Sequence, residues 1–198
     1  IQSDSVALQS FEASFFQMLG LHNQIVATMS DWNPLKIGVE REARARECFK
    51  RWYRSFRDEL WGFKSVRTND GNETFEKVPK NGVEKYTAFY YEGHQGELGH
   101  YFRNLYHVIK FVDEAEALRC KDAQAEYKLR RRYTSLVRAT LSQYELAFLF
   151  YNCASELGEE KFKPLVEKYG LLNNFNTDDL LTEEKQNCGK IYLPSAFQ

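Results

Sequence analysis

Cysteine is scarce in this chain, long apolar runs are missing and net charge is almost nil; each shortage removes a class of function. The four cysteines, Cys48, Cys120, Cys153 and Cys188, are widely and irregularly spaced, and no CxxC pair occurs. Structural zinc sites are built from such pairs, so no metal site is expected, and the cysteines read as reduced thiols of a cytosolic compartment. The longest apolar run, Leu146 to Tyr151, is far short of the ~20 residues that cross a bilayer. A net charge of −1 argues against a globally basic nucleic-acid binder but leaves a local basic site open. There is no P-loop, GxGxxG, HExxH or GxSxG, so nothing suggests a nucleotide cofactor, and none is expected. Internal repeats and low-complexity segments are also absent.

What is there is a helical pattern on a good supply of core residues. The 198 residues, 43% hydrophobic and 15% aromatic, suit one domain with a sizeable core. Apolar residues at helical period predict a helix from about Asp4 to Met29, ended by Ser30-Asp31-Trp32-Asn33-Pro34. A second helix, dense in alternating charge, is expected over 39–60, with Ala45, Phe49, Trp52, Phe56 and Leu60 as its apolar stripe. Strong turn signals at Asn69–Asn72 and Lys80–Gly82 bracket either a hairpin, Phe63–Val66 opposite Thr74–Val78, or an irregular excursion within 61–84. Tyr86 begins a short helix, and Gly93, Gly96 and Gly99 interrupt the pattern before a helix running to about Glu116. Asp122 to Leu157 reads as one long helix. Pro164 and Gly170 frame a short helix over 162–169. The expected fold is all-α: a bundle of four main helices plus short ones over 1–170, with a loop-rich tail over 171–198 packed on it and at most a turn near 178–181.

Two polar faces stand out on these helices. His100, Arg103, Asn104 and His107 share one side of a helix whose other side carries Leu98, Phe102, Leu105, Ile109 and Val112. In the long helix Arg131, Ser135, Arg138, Ser142, Glu145 and Asn152 recur at spacings of three, four or seven beside a nearly continuous apolar run. Charges in such a place must be paired or line a wet cleft. His22-Asn23 on the first helix is a third polar point among apolar neighbours. One reading joins the faces into a pocket. An imidazole near neutrality serves as acid or base, and an arginine grips a phosphate and stabilises a pentavalent transition state, which suffices in principle to cleave RNA. The other reading makes Arg103, Arg138 and Glu145 interhelical salt bridges, with the histidines bonded to backbone or tyrosine hydroxyls. The cluster Lys128, Arg130, Arg131, Arg132 reads first as a solvated helix face, and His94 has no evident partner in its Gly-flanked loop.

Three blocks resemble a known family. Phe15–Val26, Gly99–Phe111 and Leu136–Leu146, the last continuing to Phe150-Tyr151-Asn152, look like the phage abortive infection family of the AbiC-like group; the ending Tyr192–Phe197 is similar too. The resemblance implies a bacterial defence effector that halts phage propagation, with a phage or host protein as trigger. It also implies hydrophobic segments ahead of this region, and the start at Ile1 agrees with an excised domain. The expectation is a cytoplasmic domain anchored to the bacterial inner membrane by a preceding segment. A looser similarity is to HEPN-class ribonucleases, which place an arginine, a polar residue and a histidine on one helix and build their site across a homodimer. Arg103-Asn104-…-His107 is similar, although three residues separate Arg103 from His107 where the usual motif has four to six. In this lead reading His107 is the general base or acid, Arg103 binds the scissile phosphate of RNA, Asn104 orients and His100 assists. Arg138, Ser142, Glu145, Asn152, His22 and Asn23 form a binding or structural polar face. The alternative is a non-catalytic sensor that binds a phage or host protein and oligomerises.

Overall fold

The structure, a computed structural model, describes residues 2–32, 42–67, 73–79, 81–180 and 182–198. It is all-α with two small sheets. The elements run α1 (Gln2–Thr28), β1 (Ser30–Trp32), β2 (Glu42–Arg44), α2 (Arg46–Glu59), β3 (Trp61–Arg67), β4 (Glu73–Pro79), α3 (Gly82–Phe89), α4 (Gln95–Glu114), α5 (Ala123–Ala139), α6 (Gln143–Ala154), α7 (Lys163–Tyr169) and α8 (Thr182–Ile191). No helix among the described residues is long and apolar enough to cross a membrane.

The core forms around α6. Glu145 to Cys153 are all buried, as expected of a helix that is apolar on every side. α2 and α3 pack on it, and Phe56, Tyr86, Phe89 and Phe148 meet there, with Phe56–Phe148 ring centroids 5.9 Å apart and Phe89–Phe148 at 5.7 Å. On the other side α4 lies between α1 and α5. Its residues Leu98, Phe102, Leu105, Ile109 and Val112 are buried as the spacing predicts. Phe11 of α1 stacks on Phe111 of α4 at 5.3 Å and meets Tyr133 of α5 edge-on at 5.0 Å.

The hairpin within 61–84 exists: β3 and β4 pair antiparallel with Val66 opposite Thr74. Four expectations are corrected. The helix expected from residue 39 begins at Arg46, because Glu42–Arg44 is a strand paired with Ser30–Trp32; Asn33 to Arg41 lie outside the described residues. The glycines before the motif do not interrupt helical structure: α3 passes through one π turn, Tyr90–His94, directly into α4. Glycine in a helix costs only about 1 kcal/mol relative to alanine, and the buried stripe of α4 outweighs that. The long helix expected over 122–157 is two, divided at Thr140–Ser142. Ser142 takes an extended conformation and caps α6 through a reciprocal capping box with Glu145. Finally, the region after 170 is no plain loop, since it holds α8 and two 3₁₀ turns. Its Leu172, Phe175, Tyr192 and Ala196 are buried, and the Tyr192 hydroxyl donates to Phe150 O at 2.6 Å. Gly170 closes α7 with φ 61°, the left-handed conformation that glycine adopts without strain.

Candidate functional site

The division of the long helix redistributes the predicted polar residues. Ser142 and Glu145 do not share a face with Arg138. Glu145, fully buried, accepts from the Ser142 amide at 2.8 Å, from the Tyr101 hydroxyl at 3.0 Å and from Arg46 Nε at 3.2 Å. Arg46 Nη2 also donates to Thr140 O, the carbonyl of the residue that caps the C-terminus of α5, at 2.8 Å. One guanidinium thus holds the end of α5 while its carboxylate partner holds the start of α6, which matches the sign each helix end favours. Burial, then the Glu145 carboxylate, raises the Tyr101 hydroxyl well above its ordinary value, so it stays a donor. The carboxylate of this pair is fully buried, whereas the Arg46 side chain keeps 44% of its surface in solvent.

His22 and Asn104 belong to the same interior. His22 Nδ1 donates to Asn104 Oδ1 at 3.1 Å, and its ring lies 4.8 Å from that of Tyr101. The Nε2 of this buried histidine has no partner among the described residues. Burial holds its pKa below 6.5, against the opposing effects of Asn104 and Glu145. Asn23 Oδ1 meets Arg46 Nη2 at 3.5 Å. Arg138 goes elsewhere, donating to Gly170 O at 3.2 Å. The expected salt bridges among Arg103, Arg138 and Glu145 do not form: Glu145 pairs with Arg46 instead. His94 is not without a partner, since its Nδ1 bonds to Phe89 O at 3.0 Å and its ring stacks on Phe89 at 3.8 Å.

The motif face therefore splits. Asn104 turns inward to His22, whereas His100, Arg103 and His107 are exposed. Arg103 and His107, one helical turn apart, line a cleft of about 510 Å³ between α4 and the turn that joins α6 to α7. Lys110, Lys161 and Asn152 line it too, and none of its lining residues is acidic. Among the described residues no carboxylate pairs with Arg103, while Lys110 lies 3.5 Å from Glu114. His100 lines a different, shallower depression with Thr28, Ser30 and Glu97. Asn152 is buried and its amide donates to the Tyr86 hydroxyl at 3.1 Å.

Tyr90 also faces the cleft from the π turn, a helix irregularity frequent at functional sites. A Cβ on Gly99 would stand 2.6 Å from the Tyr90 hydroxyl oxygen and 3.3 Å from Arg103 Nη1. Only glycine at 99 lets both groups approach this wall of α4. Burial raises the Tyr90 pKa and the nearby Arg103 opposes the rise. Tyr90, Lys161, Tyr101 and Arg46 are members of these two sites that spacing on single helices does not reveal; Lys110 follows Arg103 and His107 at helical spacing on α4 and could have been found that way. Arg46 had one available signal, its position just ahead of an apolar stripe, but alternating charge made it read as solvated.

All of the cleft's lining except Tyr90 falls in a stretch that matches a family model. Residues 93–180 match the family described as “Putative phage abortive infection protein”. The matched stretch contains α4, α5, α6 and α7, with Arg103, His107, Lys161, Arg138 and Glu145. The resembling blocks Gly99–Phe111 and Leu136–Asn152 lie within the matched stretch; Phe15–Val26 and Tyr192–Phe197 lie outside it. No curated protein and no solved structure matches the chain.

Proposed function

We propose that this abortive-infection domain acts on RNA, cleaving phosphodiester bonds at Arg103 and His107. The observation that supports this reading most is that, among the described residues, an arginine without a carboxylate partner and an exposed histidine line one cleft with no acidic residue in its lining. In the proposed reaction His107 removes the proton from a ribose 2′-hydroxyl, and the 2′-oxygen attacks the adjacent phosphorus. Arg103 stabilises the negative charge on the non-bridging oxygens, and the 5′-oxygen leaves with a proton from water. Asn104 acts indirectly, through His22, by fixing the rotation of α4. His100 serves another depression and has no part in the step. A second copy of the chain and a preceding membrane segment complete the proposal, following the HEPN-like similarity and the family resemblance.

The test is incubation of labelled single-stranded RNA with the purified parent, Arg103→Ala and His107→Ala, each first shown to melt like the parent. The parent is expected to degrade RNA, and each variant to lose about 100-fold or more of the rate, in line with the loss of a proton-transfer group. RNA bound but left intact by the parent would replace cleavage with the sensor reading.

A further inference from the structure

The same cleft has a second half that phosphate chemistry does not use. Its floor is aromatic: Phe102 and Phe162 are buried, Tyr106 is half-buried, and the Tyr106 and Phe162 rings meet edge-on at 5.7 Å. Its cations are Arg103 and Lys110 from α4 and Lys161 from the α6–α7 turn; Lys110 is tied to Glu114 at 3.5 Å and lies 5.9 Å from the Tyr106 ring centroid, which leaves Arg103 and Lys161 for a phosphate. A simple anion site would need only the cations. A duplex would offer only phosphates, because its bases are stacked within. An aromatic floor beside cations fits a ligand with a π face and a negative charge a few ångströms apart, and about 510 Å³ is within the usual range for a small-molecule site.

We infer that the cleft is a binding site for one nucleoside phosphate unit whose base is unpaired, with the base on the aromatic floor and the phosphate at Arg103 and Lys161. This rests on the cleft assignment made above but not on cleavage. The unit can come from single-stranded RNA or from a free nucleotide, and the two sources share the chemistry that the cleft recognises. Base stacking on an aromatic side chain is sequence-tolerant, so any base is accepted in this half.

Calorimetry and fluorescence polarisation test it with four probes: inorganic phosphate, AMP, a single-stranded hexanucleotide and a blunt-ended duplex of two strands. AMP is expected to bind about tenfold tighter than phosphate, the contribution of one stacked base. Tyr106→Ala removes that advantage and leaves phosphate binding intact. Lys161→Ala, at an exposed position, weakens phosphate and AMP alike by about tenfold. Binding of AMP without the hexanucleotide supports the site and identifies the free nucleotide as its ligand; binding of both supports it with RNA as a source. The inference is overturned if AMP binds no tighter than phosphate, if the duplex binds as well as the single strand, or if Tyr106→Ala leaves AMP binding unchanged. RNA cleavage by a parent that ignores AMP would sink this site and spare the nuclease reading. AMP binding without cleavage would do the reverse.

Discussion

At the scale of residues, the chain uses its polar side chains in two ways that look alike in sequence. His22 and His107 are both histidines on helices, yet one is sealed and the other open. The sealed one carries a stability consequence whose sign can be worked out. Its folded pKa lies below 6.5, so between that lowered value and 6.5 the unfolded chain binds a proton that the folded chain does not. Stability therefore rises with pH through this window, is fully present above about 6.5, and is lost as pH falls below it. Thermal melts from pH 7.5 to 5 should show this decline in the parent. His22→Asn, which keeps a side-chain donor toward Asn104, should show a shallower one. An unchanged slope would mean that other groups govern the decline.

At the scale of elements, local chemistry decided what periodicity could not. The apolar stripe of α4 was legible, because Leu98, Phe102, Leu105, Ile109 and Val112 keep helical spacing and are buried. The turn residues left the β3–β4 hairpin as one of two readings, beside an irregular excursion, and the strand pairing decides for the hairpin. The break between α5 and α6 was hidden by an apolar pattern that continues across it, although Ser142-x-x-Glu145 spells the capping box that makes it. α8 was hidden because its polar residues, Glu183, Glu184, Lys185, Gln186 and Asn187, resemble a solvated tail. Gly93 in the π turn and Gly96 and Gly99 in the first turns of α4 misled in the opposite sense. Gly93 and Gly96 have nothing within 4 Å of a would-be Cβ, as at Gly20, whereas Gly99 is crowded, and this sets up a contrast. Gly20 in α1 has nothing within 4 Å of a would-be Cβ, so Gly20→Ala should raise stability by about 0.5–1 kcal/mol. Gly99→Ala would press on the Tyr90 hydroxyl at 2.6 Å. It should gain less or lose stability, and it should impair the cleft. Denaturant midpoints of the two variants measure this difference; equal gains would show that Tyr90 and Arg103 are not held against Gly99.

At the scale of the whole molecule, the bundle brings α1, α2, α4 and α6 together around Glu145 and leaves one face of α4 open to a cationic, aromatic cleft. The fold class was readable from sequence. The site was half readable: Arg103 and His107 shared a helix face from the outset, whereas Lys161 comes from a turn some fifty residues away and Tyr90 from a π turn, so only folding brings them together. The inward half of the motif, Asn104, serves the interior. Its neighbour His100 serves neither the cleft nor the buried network. The central claim is that the open half of this motif does the work of phage defence. The most direct measurement is the plating efficiency of a phage that the parent restricts, on cells expressing the parent, Arg103→Ala or His107→Ala at equal levels and with matched thermal stability. The account predicts that both variants let the phage plate as on cells without the protein. Full protection by either variant would contradict it.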